Sequence, residues 1–479
     1  MNKSILIELL SKLNAKEIKE FGEFINSPFF NKNESVIKLY DYLRKQYPEF
    51  DERKINKKYA FGKVFPGVEY HDGFMRTLMF NLCSLAEDFL SYRKYKSSYY
   101  VDKQFLLYEL NNMELNRLFK RNIKVVLKKL AEEQIRDADY FYNKYNIDYE
   151  YFHYLSRTKL DKIEKIVKKS DAEDMFNHLT YFYLIHAMNH YVYCLNVMEL
   201  YRFSFNTDLL EDILKILKAE RFKDIPSVDI CYNVLMLFIK ENDISYFYKT
   251  KELLGKYENK LNWYQVHNAY LNLKNYCKRM IQKGKISFIN ELFEIYKIEI
   301  NRKLYPLQRE MSFRYYTDVV ETALKLKKYQ WTKEFIEKYK RELPSDSQEN
   351  TYYYSLALYE FAMKNFEKSL GLLSKVKYND VYHKIKYRSY LIMLYYELDY
   401  GDLLLSHLDS FNHFLINDTL ISDERKEFYS NFSKYIKNLS GLKDKGKKLN
   451  LQGLKQKVKD EKTLHNREWL IEKIDEAMD

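Results

Sequence analysis

The chain has 479 residues, 46% of them hydrophobic, which is enough for a continuous core and excludes a largely disordered protein. Only 11 glycines and 6 prolines punctuate it, too few for the turns of a strand-rich fold. Four cysteines, Cys83, Cys194, Cys231 and Cys277, lie far apart with no CxxC spacing, so a disulfide-rich secreted scaffold is excluded and reduced thiols are expected. The formal charge of +12 suits an acidic partner. It comes, however, with 47 Tyr, 31 Phe and many Lys, all residues of AT-rich codons, and solvated lysine faces give the same charge without any function.

The start of the chain, Met1 to Leu10, reads as an amphipathic helix interrupted by Glu8. It lacks the apolar core and small-residue cleavage site of a signal peptide, so a cytoplasmic protein is expected. Residues 1–96 read as an N-terminal helical module. Ile5, Leu6, Leu9, Leu10 and Leu13 form one stripe, and Asn14 with Glu17 forms a capping pair. The helix opened by that pair ends at Ser27-Pro28, and Met75, Leu78, Leu82, Leu85, Phe89 and Leu90 close the module. The stretches Leu13-Asn-Ala-Lys-Glu-Ile-Lys-Glu-Phe21 and Ser27-Pro-Phe-Phe-Asn31 resemble the start of a family of long helical proteins from bacteria related to Bacteroidetes. The resemblance implies no activity. A helix-turn-helix DNA reader fits less well, because the connections carry Pro and paired Phe rather than a tight turn.

Residues 97–310 read as irregular helix pairs. Leu118 to Tyr145, without a breaker, predicts one long helix, and Ser170-Asp-Ala-Glu173 predicts the cap of another reaching about Phe203. Met175 to Met198 carries no formal charge and is long enough to span a bilayer. Its Asn and His content favours a helix buried in protein instead. His186, His190 and Cys194 recur there at i, i+4 and i+8, a spacing that could supply three zinc ligands. The segment lacks the glutamate of HExxH and any evident fourth ligand, so buried, hydrogen-bonded histidines are the expectation.

In residues 311–439 a helix-pair pattern recurs. Val320, Ala323 and Leu326 precede Tyr329; Leu356, Tyr359 and Met363 precede Phe366; Leu391, Leu394 and Leu398 precede Tyr400. The steps from Tyr329 to Phe366 and on to Tyr400 are 37 and 34 residues. With small residues at Ala357 and Ser369 and a closing Pro344, the stretch resembles the tetratricopeptide repeat, whose period is about 34. That resemblance implies an all-α, TPR-like right-handed solenoid. Tyr339 and Val376 occupy positions where a small residue is usual, and the family's peptide-clamp residues do not carry over.

Residues 440–463 read as a flexible basic linker, with seven lysines between Lys443 and Lys459 loosened by Gly441, Gly446 and Gly453. Residues 464–479 read as a short capping helix resting Trp469, Leu470 and Ile474 on the last repeat.

No phosphate loop, nucleophile elbow or acid–base pair appears, so no enzyme, cofactor or metal is expected. The leading expectation is a scaffold for a protein or peptide partner, away from membranes. The alternative is a basic nucleic-acid-binding protein. The expected interaction surface is Tyr316, Tyr353, Tyr395, Trp469, Lys447 and Lys448, aromatic and basic side chains that suit protein contact or stacking on single-stranded nucleic acid.

Overall fold

The computed structural model describes residues 1, 4–158, 172–200, 204–218, 224–305, 310–377, 381–418, 421, 423–443 and 448–478. Every regular element among them is helical. None of these helices is long and apolar enough to cross a membrane. The chain divides into two compact units, residues 1–133 with 140–179, and residues 134–139 with 180–479.

The first unit opens with α1 (Ile5–Lys12), α2 (Ala15–Asn26), α3 (Glu34–Arg44), α4 (Lys57–Val64) and α5 (Asp72–Ser97). Local chemistry sets the starts. Asn14 and Glu17 form the expected capping box, and the Asn33 and Asn56 side chains accept from the first free amides of α3 and α4. Leu6, Leu10, Phe21, Ile25, Leu39, Leu43, Leu78 and Leu82 share one core, all 2% exposed or less. Gly22 stands mid-helix because a Cβ there would lie 3.0 Å from the Tyr40 ring, whose hydroxyl donates to the Ile18 carbonyl. The unit continues through α6 (Tyr99–Asn112) and α7 (Asn116–Glu132), which pack on each other.

Next come α8 (Ala138–Thr158), α9 (Ala172–Leu200) and α10 (Asp208–Ile216). The single helix expected from Leu118 to Tyr145 is broken between α7 and α8. The break is held from outside the segment: Ser227 Oγ donates to the Arg136 carbonyl (2.7 Å) and Asn262 Nδ2 to Asp137 (2.7 Å). Ser170 and Asp171, half of the expected cap of α9, lie outside the described residues.

The second unit continues with α11 (Pro226–Ile239), α12 (Ser245–Lys256), α13 (Trp263–Gln282), α14 (Phe288–Asn301), α15 (Phe313–Lys325), α16 (Tyr329–Tyr339), α17 (Gln348–Ala362), α18 (Phe366–Leu373), α19 (Val381–Glu397), α20 (Gly401–Asn417) and α21 (Asp423–Lys443). Each packs on the next, and α11 also meets α13 as α15 meets α17. Within α17–α18 the buried Ser369 hydroxyl donates to the Ala357 carbonyl across the pair (2.7 Å), so the two small residues mark a close helix crossing.

The register expected for α17 needs correction. Leu356 and Tyr359 are only half-buried and Met363 is exposed, while Tyr354, Ala357 and Leu358 fill the core. Tyr354 takes the place because its ring meets Phe313 and Tyr390, with centroids 5.6 and 6.1 Å away.

The tail is also corrected. Within the expected linker, Lys448–Asp460 is a helix, α22, followed by α23 (Arg467–Met478). Leu451, Leu454 and Val458, at i, i+3 and i+7, are buried against neighbouring helices, leaving the lysines to the other faces. Leu470 and Ile474 of α23 are fully buried, and the terminal helix packs on α21 and α22.

Candidate interaction surface

The polar residues that the second unit brings together lie on α13, α14, α15 and α19. Lys274 on α13 reaches both carboxylate oxygens of Glu299 on α14 at 2.8 and 2.7 Å, and both side chains are buried. The ammonium lies 4.9 Å from the Tyr315 ring centroid and 5.4 Å from that of Tyr296. Burial lowers the pKa of Lys274 against the pull of Glu299, and burial raises that of Glu299 against the pull of Lys274. Burial, together with the Glu299 charge, also pushes the Tyr315 phenol far above its usual range.

One turn further along α13, Lys278 pairs with Asp318 on α15 (2.6 Å). Lys386 on α19 reaches the same Asp318 (3.4 Å) and Glu321 (2.9 Å). Burial opposes the charge on Asp318, but Lys278 and Lys386 win and hold it at about 2. Beside them the His383 ring stands 3.6 Å from that of Phe313, so α15 and α19 meet although 68 residues separate Asp318 from Lys386. In this line of ions each base is matched by an acid.

Asn189, Cys231, Gln265 and Asn268 line a cavity of about 10 Å³, room for one water. Burial pushes the Cys231 and Cys277 thiols up to about 12, far from nucleophilic thiolates. Cys194 Sγ stands 3.4 Å from His190 Nε2, but His186 packs edge-on against Phe182, and no group of three metal-ligating side chains converges among the described residues.

The residues expected at the surface do not form one patch. Tyr316 is a core residue: it is fully buried and its hydroxyl donates to the Ile336 carbonyl (2.7 Å). Its neighbour Tyr315 is buried too, because α15 packs on α14, α16 and α17, so this pair leaves no ring exposed. Tyr353 is half-buried with the Lys375 ammonium 5.2 Å from its ring, and Tyr395 is half-buried against His407. Trp469 is half-buried, edge-on to Tyr396, and donates Nε1–H to Glu397 (2.8 Å). Lys473, one turn on, meets the same Glu397 at 3.0 Å. Lys447 lies outside the described residues, and Lys448 begins α22, its side chain likewise outside them.

Sequence reasoning missed the ion line. Its only signal was Lys274 and Lys278 set at i, i+4 among Leu273, Tyr276 and Cys277, which are core residues here. It also missed α7, whose outward positions are Arg117, Lys120, Arg121, Lys124 and Lys128. No protein-family model, curated protein or solved structure matches this chain.

Proposed function

We propose that the chain is a non-enzymatic scaffold of the cytoplasm, whose second unit is a TPR-like right-handed solenoid that binds a protein or peptide. The observation that carries this reading is a turn that recurs in step with the helix pairs. Lys327, Lys364 and Asp399 each have positive φ, 37 and 35 residues apart, and each stands two residues before the second helix of its pair. Such pairs bury their apolar faces only against their neighbours, which leaves a continuous flank for a partner. Tyr353, half-exposed beside Lys375, and Tyr395, half-exposed beside His407, are two separate aromatic anchors open to such a partner.

The test is photo-crosslinking from Tyr353 and Tyr395 in cells of the native host. A single protein trapped reproducibly at either position supports the scaffold reading; purified chain that carries nucleic acid and traps no protein overturns it. The second reading, a basic nucleic-acid-binding protein, draws its support from the first unit, where α7 holds six bases and one acid.

A further inference from the structure

We propose that the outward face of α7 is a binding surface for the phosphate backbone of a nucleic acid. The inference rests on the second reading and is independent of the scaffold reading. Helix α7 is amphipathic: Phe119, Ile123, Val126 and Leu130 are at most 4% exposed and pack into the first unit. Arg117, Lys120, Arg121, Lys124 and Lys128 are all exposed on the remaining surface. Arg117, Arg121, Lys124 and Lys128 recur at i, i+4, i+7 and i+11, a row along one side of the helix about 16 Å long at the α-helical rise. Duplex DNA presents a phosphate about every 3.4 Å per strand, so the row can face several at once.

This concentration is not the chain's general excess of lysine. Over the whole sequence 80 bases face 68 acids; over Asn116–Glu132 six bases face one acid. That acid, Glu132, lies 3.8 Å from Lys128 in an exposed pair. Lys129 is engaged by the Tyr99 ring, 3.7 Å away. The acids flanking the helix are committed elsewhere, Glu114 to Arg157 and Glu133 to the Tyr100 hydroxyl. Arg117, Lys120, Arg121 and Lys124 have no ion-pair partner among the described residues. Four like-charge pairs at i, i+3 or i, i+4 therefore stand uncompensated on one helix, each of which weakens it. A polyanion laid along the row removes that repulsion and releases the counterions condensed on itself.

The same chemistry could meet an anionic lipid surface, but the geometry favours nucleic acid. A membrane-bound helix inserts its apolar face, and the apolar face of α7 is already buried in protein. Only Leu118 and Val125, 38% and 56% exposed, point outward between the bases. Two of the five outward bases are arginines, whose planar fork pairs with phosphate in bidentate fashion.

The test uses the full chain, the variant R117Q/R121Q/K124Q/K128Q, and the control K384Q/K434Q/K437Q/K462Q, which removes four lysines from the second unit. Anisotropy titrations with a labelled single-stranded RNA and a DNA duplex, each of about 20 nucleotides per strand, run from about 50 to 200 mM salt. The α7 variant, folded by circular dichroism, should bind about 100-fold more weakly at low salt and lose about three units of the log–log salt slope, while the control changes little. Unchanged affinity and slope in the α7 variant overturn the site while leaving nucleic-acid binding standing. A wild-type chain that binds neither probe overturns both. Retention on vesicles rich in phosphatidylserine without binding to either probe overturns the nucleic acid in favour of a lipid surface.

Discussion

Replacing Lys274 by Met tests whether the ion pair at the centre of the second unit is held by its partner alone. Glu299 has no exposed side-chain surface, and its two oxygens lie 2.8 and 2.7 Å from the Lys274 ammonium. A methionine fills nearly the same volume but leaves a buried carboxylate unpaired, which costs about 3–5 kcal/mol. The pH dependence follows from the direction of the shift. Burial already holds the Glu299 pKa above its unfolded value. Stability tied to this group is therefore fully present below the unfolded carboxylate pKa and is lost as pH rises through the folded one. Without Lys274 that folded pKa climbs further, so the variant should be weakest near pH 8 and should recover on acidification. The recovery should be about 1.4 kcal/mol per pH unit below the raised pKa. All three tryptophans, Trp263, Trp331 and Trp469, lie in the second unit, so their fluorescence in a urea titration reports that unit selectively. The double variant K274M/E299Q should regain most of the loss, since no buried charge remains. A deficit equal at pH 5 and pH 8, or a double variant no better than K274M, would refute the argument that an unpaired carboxylate is the cause.

Two further predictions concern the repeated helix pairs. Leu373 is fully buried and Leu356 half-buried, so Leu373→Ala should cost about 2–5 kcal/mol and Leu356→Ala well under half as much; equal losses in urea titrations would contradict the corrected register of α17. Lys364 has φ of +62°, where a side chain costs roughly 1–2 kcal/mol and glycine gives back roughly 0.5–1 in backbone entropy, so Lys364→Gly should stabilise the second unit by about 0.5–1 kcal/mol. Its contacts to Glu472 and Glu476, both at 4.0 Å and exposed, are too weak to reverse the sign, and a lower urea midpoint would show that they are not.

Much of the helical content was legible because capping and periodicity are local. Asn14 with Glu17, and the apolar stripes of α13 through α16, depend on residues three or four apart. The misreadings share a cause, which is that each was decided by a distant partner. Lysine density suggested an open linker over 440–463, yet three apolar residues at helical spacing suffice once α21 and α23 cover them. The α7–α8 break depends on Ser227 and Asn262, about 90 and 125 residues away. The ion line depends on Lys386 meeting Asp318, and nothing at either position announces the other.

The turns hold a subtler lesson. A chain with 11 glycines should have few helix ends of the left-handed kind, because glycine is the residue that adopts positive φ without strain. Yet the same closing bond, from an amide to the carbonyl five residues back, recurs at Leu115, Lys285, Leu304, Lys328, Asn365 and Tyr400. In each case the residue just before has positive φ: Glu114, Gly284, Lys303, Lys327, Lys364 and Asp399. Five of the six are charged residues rather than glycine, so the motif is invisible to any reading that looks for glycine. What holds these residues in a costly conformation is the pairing of the helices on either side. Once two helices bury a common face, the turn between them must close, and the backbone bond satisfies a carbonyl that would otherwise be left without a donor. Packing therefore dictates the turn here, and not the reverse. The apolar landmarks, 37 and 34 residues apart, and the left-handed positions, 37 and 35 apart, accordingly shift together with the helix pairs and not with a fixed repeat length.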